Sequence, residues 1–361
     1  MRRLWCHLEG AGAVSEASTS SDRIVTVTGE VPAAEAGVTL VHEHVVCDMR
    51  TLMRSAASEA GSEKVTLENA AVVRWDPYSS SDNYLIDDLD CAAKELTAFA
   101  RCGGRTIVDC TPSRYRDPAA LREVAEQTGL NIVMGCGHYL EKSHPADLAE
   151  TPLELIAQEV IDEAHDGVDG VRPGIIGEIG TGAPMTEAEE RVLRAMAWAQ
   201  VETGLSLTVH VHPWGKGGPR VLDVLHAEGV ATDRIILNHA FVDIDDPAYE
   251  ESLLGRGVTL GYDMFGFDHS LFRVGRYPPS DFDVATEVAR LVAAGYASQI
   301  VLSQDVCVKT RLRAFGGWGY AHLLEHVVPL LHELGVAEAA VAEMLVSNPA
   351  RLLAVRSSAT A

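Results

Sequence analysis

The chain has 361 residues, 47% of them hydrophobic, and carries a formal net charge of −23 at pH 7. So many carboxylates oppose binding to nucleic acid or anionic membranes, and no stretch is long and apolar enough to span a bilayer. Seven cysteines with no CxxC pair read as free thiols of a reducing cytosol, which places the protein in the cytoplasm.

Residues 1–23 are expected to be a disordered extension, because Ala11–Asp22 is small and polar and lacks the apolar core of a signal peptide. Ile24–Glu30 reads as a small antiparallel strand. Eight apolar, mostly β-branched runs follow: Val38–Val45, Arg105–Cys110, Asn131–Gly135, Gly174–Ile179, Ser206–Val211, Arg234–His239, Val258–Tyr262 and Gln299–Ser303. Short apolar runs of this kind suit parallel strands buried on both faces. Arg50–Asn83 is a long insertion after the first of them. Between the others lie helical patterns. Tyr84–Cys102 puts Leu85, Leu89, Ala92, Leu96 and Phe99 on one stripe, and Thr186 with Glu189 has capping-box spacing ahead of Glu187–Thr203. Pro219–Glu228, Ala285–Ala294 and Tyr320–Leu334 continue the series, and Asn348-Pro349 opens a last short helix. Eight strands alternating with helices predict an α/β fold of the closed (β/α)8 TIM-barrel type, with 24–361 as a single domain. A doubly wound sheet would carry a glycine-rich phosphate loop after its first strand, where this chain has His42-Glu43-His44.

That triplet is the most informative motif. On a strand, residues two apart project to one side, so His42 and His44 can share a metal ion while Glu43 faces away. Other metal-ligating residue types stand at later strand ends: Glu178 in a glycine-rich apolar strand, His210, His239, and Asp305 just beyond the eighth strand. The C-terminal strand ends of such a barrel surround one mouth. Four imidazoles and two carboxylates meeting there suit two divalent ions of the zinc, manganese or cobalt kind, with zinc the default. His42, His44 and Asp305 would hold one ion, His210 and His239 the other, and Glu178 would bridge them.

The order of these motifs resembles the phosphotriesterase family of the amidohydrolase superfamily. The matching segments are Gly37–His44, Val108–Pro112, Gly135–Tyr139, Gly177–Gly180, the His210 and His239 strand ends, Asp305 and Val346–Arg351, so the resemblance runs from about Ile24 to Leu353. It implies a barrel with a binuclear metal centre and a bridging hydroxide as nucleophile. Founding members bridge their metals with a carboxylated lysine. Glu178 stands at that position here, which supplies the carboxylate directly and favours a carboxylic ester, lactone or amide substrate, with phosphotriester cleavage as a weak side activity. Asp305 would take the proton of the nucleophile and pass it to the leaving group. A metal-dependent lyase or isomerase on the same scaffold is the alternative. Tyr139, at the position of a lactonase tyrosine near the metals, His212, of the same parity as His210, and Trp214 are the candidate substrate contacts. Met264 stands where lactonase-like relatives carry an arginine. Lys309 and Arg311, cations beside Asp305, hint at an anionic small-molecule substrate. A homodimer is the expected assembly.

Overall fold

The structure is a computed structural model that describes residues 22–53, 63–240, 244, 246–270 and 276–355. The chain opens with an antiparallel hairpin of β1 (Arg23–Thr26) and β2 (Gly29–Pro32), so the predicted strand is split by a turn at Val27-Thr28. Of the predicted disordered extension, residues 1–21 lie outside the described residues, whereas Arg23 is already paired with Pro32. Then come β3 (Val38–Glu43), β4 (Cys47–Asp48), β5 (Leu85–Ile86), β6 (Gly104–Asp109), β7 (Asn131–Cys136), β8 (Ile175–Thr181), β9 (Leu207–Val211), β10 (Ile235–Asn238), β11 (Thr259–Tyr262) and β12 (Ile300–Leu302).

Eight of these form one parallel sheet in the order β3-β6-β7-β8-β9-β10-β11-β12, with helices between them. The predicted (β/α)8 barrel is therefore present. Its last joint, between β12 and β3, is made by side chains and loop amides. Ser303 Oγ accepts the His42 N–H at 3.0 Å and Asp305 N–H donates to the His42 carbonyl at 3.0 Å. Glu43, turned away from the imidazoles, accepts N–H groups of Gln304 and Val306 at 2.9 and 2.8 Å and the Ser303 hydroxyl at 2.7 Å.

Val41, Val108, Val133, Ile175, Ile236 and Val301 pack into one cluster with Ile24 of the hairpin and Leu352 and Leu353 near the C-terminus. One residue from each of six barrel strands can meet only inside the barrel. The hairpin and the last helix, Asn348–Leu353, thus plug its lower end. A larger apolar cluster joins the outer faces of the strands to the helices.

Helix boundaries differ from the sequence pattern where other bonds compete. The helix predicted from Tyr84 begins only at Leu89, because Leu85 and Ile86 pair with β4 and Asp88 caps the Cys91 N–H at 2.9 Å. Tyr320–Leu334 is not a uniform α-helix. Leu323–Val327 is a π-turn running into α-helix at Val328, and Glu343–Ser347 repeats this ahead of Asn348. Each π-turn is followed two residues later by a proline, Pro329 or Pro349, which has no N–H to donate four residues back.

Candidate metal centre

The six residues singled out from the sequence converge at the C-terminal mouth of the barrel, each turned there by a local irregularity or a strand end. The register of β3 with β6 shifts between Leu40 and Glu43, which sends His42 toward the mouth. The register of β8 with β9 shifts between Ile176 and Ile179, around Glu178. Gly177 takes φ +130°, and a Cβ there would lie 2.2 Å from the Thr208 carbonyl oxygen, so only glycine fits before Glu178. His210 lies within β9. His239 and Asp305 follow β10 and β12 in left-handed conformation, φ +63° and +51°, uncommon for residues with a Cβ.

All six are buried. Asp305 Oδ1 lies 3.3 Å from His44 Nε2 and 3.8 Å from His42 Nε2. Glu178 Oε2 lies 3.1 Å from His210 Nδ1, 3.2 Å from His239 Nε2 and 3.7 Å from His42 Nε2, and Oε1 lies 4.0 Å from His44 Nε2. Two triplets place one candidate ligand atom from each member within 4.8 Å of one another: His42 with His44 and Asp305, and His42 with Glu178 and His239. The His210 ring packs 4.6 Å from that of His239. His42 is therefore shared between the two groups, where the sequence pattern assigned it to one.

Fit to a cation can be judged from the donors themselves. His42 is fully buried, and its Nε2 has no hydrogen-bond partner among the described residues while facing both carboxylates. Such an orphaned nitrogen is costly unless something binds it. Imidazole nitrogens and carboxylate oxygens are the donors that zinc, manganese and cobalt take. Electrostatics point the same way. Burial would raise the Glu178 carboxyl, but His42, His210 and His239 hold it well below the usual carboxylate range. Burial likewise opposes ionisation of Asp305, and His44 outweighs it and keeps the pKa lowered. Burial works against a proton on His44 and His239, yet Asp305 lifts the first to about 9 and Asp263 lifts the second well above the imidazole range. In the metal-free protein, protons thus balance the carboxylates where cations would fit.

Two supporting residues escaped the sequence reading. Asp263, directly after β11, places Oδ1 3.0 Å from His239 Nδ1 and also accepts the His239 N–H at 3.1 Å. Its Oδ2 lies 3.3 Å from His42 Nδ1, close enough to attract a proton there though not aligned as a hydrogen bond. Thr111 Oγ1 shares a 2.9 Å hydrogen bond with His44 Nδ1. A partner at Nδ1 leaves Nε2 of the same ring as the free ligand atom. The available signal for Asp263 was its place, a carboxylate at the end of a buried strand like Glu178 and Asp305.

The candidate substrate contacts divide. The Tyr139 hydroxyl shares a 3.1 Å hydrogen bond with His210 Nδ1, and burial, then Glu178, push its phenol well above the usual tyrosine range, so it stays protonated. It lines a cavity of about 120 Å3 over the cluster. His212 is solvent-exposed and does not line that cavity; its neighbour Pro213 does. Trp214 does not line it either, and lies under the Arg276 guanidinium at 5.9 Å. Lys309 is held 2.8 Å from Asp82 Oδ1 in a separate cleft, and Arg311 is buried with its guanidinium donating to the Phe265 carbonyl at 2.8 Å. The cations expected beside Asp305 are spoken for by the protein itself.

A family model described as the phosphotriesterase family matches residues 22–353 of the chain. Among curated proteins, the N-acetyltaurine hydrolase of Tetraodon nigroviridis is 32% identical over 346 residues, covering 92% of this chain and 98% of that one. A solved structure described as a resiniferatoxin-binding protein from Rhodobacter sphaeroides is 39% identical, with TM-score 0.87, covering 94% of this chain and 98% of that chain. A mutant PTE-like lactonase of Deinococcus radiodurans is 28% identical, with TM-score 0.74, covering 91% and 99%.

Proposed function

The chain belongs to the phosphotriesterase family and is a metal-dependent hydrolase, and from that premise we propose that it carries two divalent ions and cleaves a carboxylic ester, lactone or amide of a small molecule. The observation that carries this reading is the buried cluster of four imidazoles and two carboxylates with the unpartnered Nε2 of His42 at its centre. His42, His44 and Asp305 would hold one ion, His210 and His239 the second, with Glu178 between them and 24–361 acting as one barrel domain. Zinc is the ion expected. Bound there, the ions supply an ionised water at neutral pH and a Lewis acid for the carbonyl oxygen.

The protein's own groups do the rest. Asp305, held as an anion beside His44, accepts the proton of the nucleophile and returns it to the departing oxygen or nitrogen. Tyr139 keeps its proton and can donate to the substrate from the cavity wall. The names of the relatives support carbonyl chemistry, one an amide hydrolase and one a lactonase. Phosphotriester cleavage would be a minor side reaction. The test is elemental analysis of protein purified without chelator, paired with assays on lactones, amides and aryl esters. Close to two ions per chain and loss of turnover on chelation are expected. Full activity from metal-free protein would overturn the proposal.

A further inference from the structure

The capping box that opens the helix Glu187–Thr203 does more than cap. The Glu189 carboxylate is buried and reaches three backbone N–H groups. Its Oε2 accepts from Thr186 at 3.0 Å, the bond of the box, and from Gly182 at 2.8 Å, just beyond β8 and its Glu178. Its Oε1 accepts from Glu141 at 3.2 Å, in the loop after β7 that carries Tyr139. A capping box needs only the first of these bonds from its carboxylate.

From the other side, His144 Nε2 donates to the Tyr139 carbonyl at 2.8 Å. Burial holds this imidazole below its usual range, so the ring carries one proton and the carbonyl fixes it on Nε2. Between the two bonds the backbone lies against Gly180, where a Cβ would stand 2.3 Å from the Leu140 nitrogen and 2.5 Å from the Tyr139 carbonyl carbon. Neither His144 nor Glu189 lines the cavity over the metal cluster. At the far end of the tyrosine, the hydroxyl meets His210 Nδ1 at 3.1 Å. A small backbone rotation is amplified along so long a side chain, and a misplacement of about 1 Å near a reacting group can cost about 100-fold in rate.

We propose that His144 and Glu189 are positioning residues, a two-point clamp that sets where the Tyr139 hydroxyl stands over the metal centre. Its effect on rate rests on the reading of Tyr139 as a substrate contact; its effect on geometry does not. The metal-loaded enzyme labelled with meta-fluorotyrosine therefore gives a readout independent of turnover. The Tyr139 line in the fluorine NMR spectrum is the one lost in Tyr139→Phe. It should move in His144→Phe, which lacks the donor, and return to the parent position in His144→Gln, whose amide N–H replaces that of Nε2. It should also move in Glu189→Gln, where the amide oxygen can keep the Thr186 and Gly182 bonds while the NH2 group faces the Glu141 N–H. Thr186→Ala removes the hydroxyl that caps the Glu189 N–H, and should lower thermal stability while leaving the line in place. An unmoved line in His144→Phe or in Glu189→Gln, or an equal shift in Thr186→Ala, overturns the clamp.

Rates on para-nitrophenyl acetate complete a double-mutant cycle. His144→Phe and Glu189→Gln should each lower kcat/KM by about tenfold, and by less than about twofold in the Tyr139→Phe background. The same tenfold loss in both backgrounds overturns the clamp. Lines that move as expected while Tyr139→Phe turns over normally would overturn Tyr139 as a substrate contact and leave the clamp standing.

Discussion

Asp263 divides its two oxygens between His42 and His239, imidazoles that the proposed function assigns to different ions. The Thr111 hydroxyl, by contrast, bonds to one imidazole of the cluster, that of His44. Replacing Asp263 with Asn puts an amide where the carboxylate attracted Nδ1 protons, which disturbs the tautomer of both rings. Asp263→Asn should weaken both ions by about 10- to 100-fold, and Thr111→Val should weaken one. Chelator competition followed by metal counting would show the difference; equal effects on one ion only would remove Asp263 from this positioning role. Asp305 separates chemistry from structure in another way. Asp305→Asn should fold, retain at least one ion and lose activity by about 10² to 10⁴. Alkyl esters and amides, whose leaving groups need a proton, should suffer more than activated aryl esters. Equal loss on both would leave Asp305 as a ligand without a proton-transfer role.

At the level of elements, the barrel closes through Ser303 and Glu43, not through a regular ladder between β12 and β3. The Ser303 hydroxyl accepts the buried His42 N–H and faces both the His42 carbonyl and the Glu43 carboxylate. This seam sits directly behind His42 and Asp305, so it ties the stability of the closure to the geometry of the site. Ser303→Ala should cost about 1–3 kcal/mol by leaving buried groups without a partner. Denaturant unfolding reads that loss, and metal affinity should fall with it because His42 is anchored there. A variant as stable as the parent, with unchanged metal content, would show that the seam tolerates the gap. The same scale explains why strands were easier to place than helices. Each barrel strand is a short apolar run between polar segments, whereas the helix pattern from Tyr84 onward ignored the pairing of Leu85 and Ile86 with β4. Likewise, the spacing of Tyr320–Leu334 gave no warning of the π-turn ahead of Pro329.

Across the whole molecule, charge governs what the site will take up. Among the described residues no helix is long and apolar enough to cross a membrane. The metal-free cluster holds protons on His44, whose pKa is raised to about 9, and on His239, which Asp263 raises well above the imidazole range. A cation must displace those protons to bind. Apparent metal affinity should therefore climb with pH, by about tenfold per unit for each proton released, and the His44 contribution should level off above about pH 9. Metal titrations between pH 6 and 9.5 would measure the slope. An affinity independent of pH across that range would mean that the imidazoles are already neutral, against the field of Asp305 and Asp263.

The sequence alone determined the alternation of eight buried strands with helices, and it marked His42, His44, Glu178, His210, His239 and Asp305, because strand burial and ligand chemistry are both written in residue type and spacing. It could not show that His42 is shared between two groups, since that follows from a register shift in β3. Nor could it show Asp263 behind two rings at once, because β3, β10 and β11 are distant in sequence and meet only in the closed barrel. Lys309 is the converse case. Four residues from Asp305 it looked poised for substrate, and the tertiary structure gave it to Asp82, 227 positions away, because a partly buried ammonium is stable only beside a countercharge.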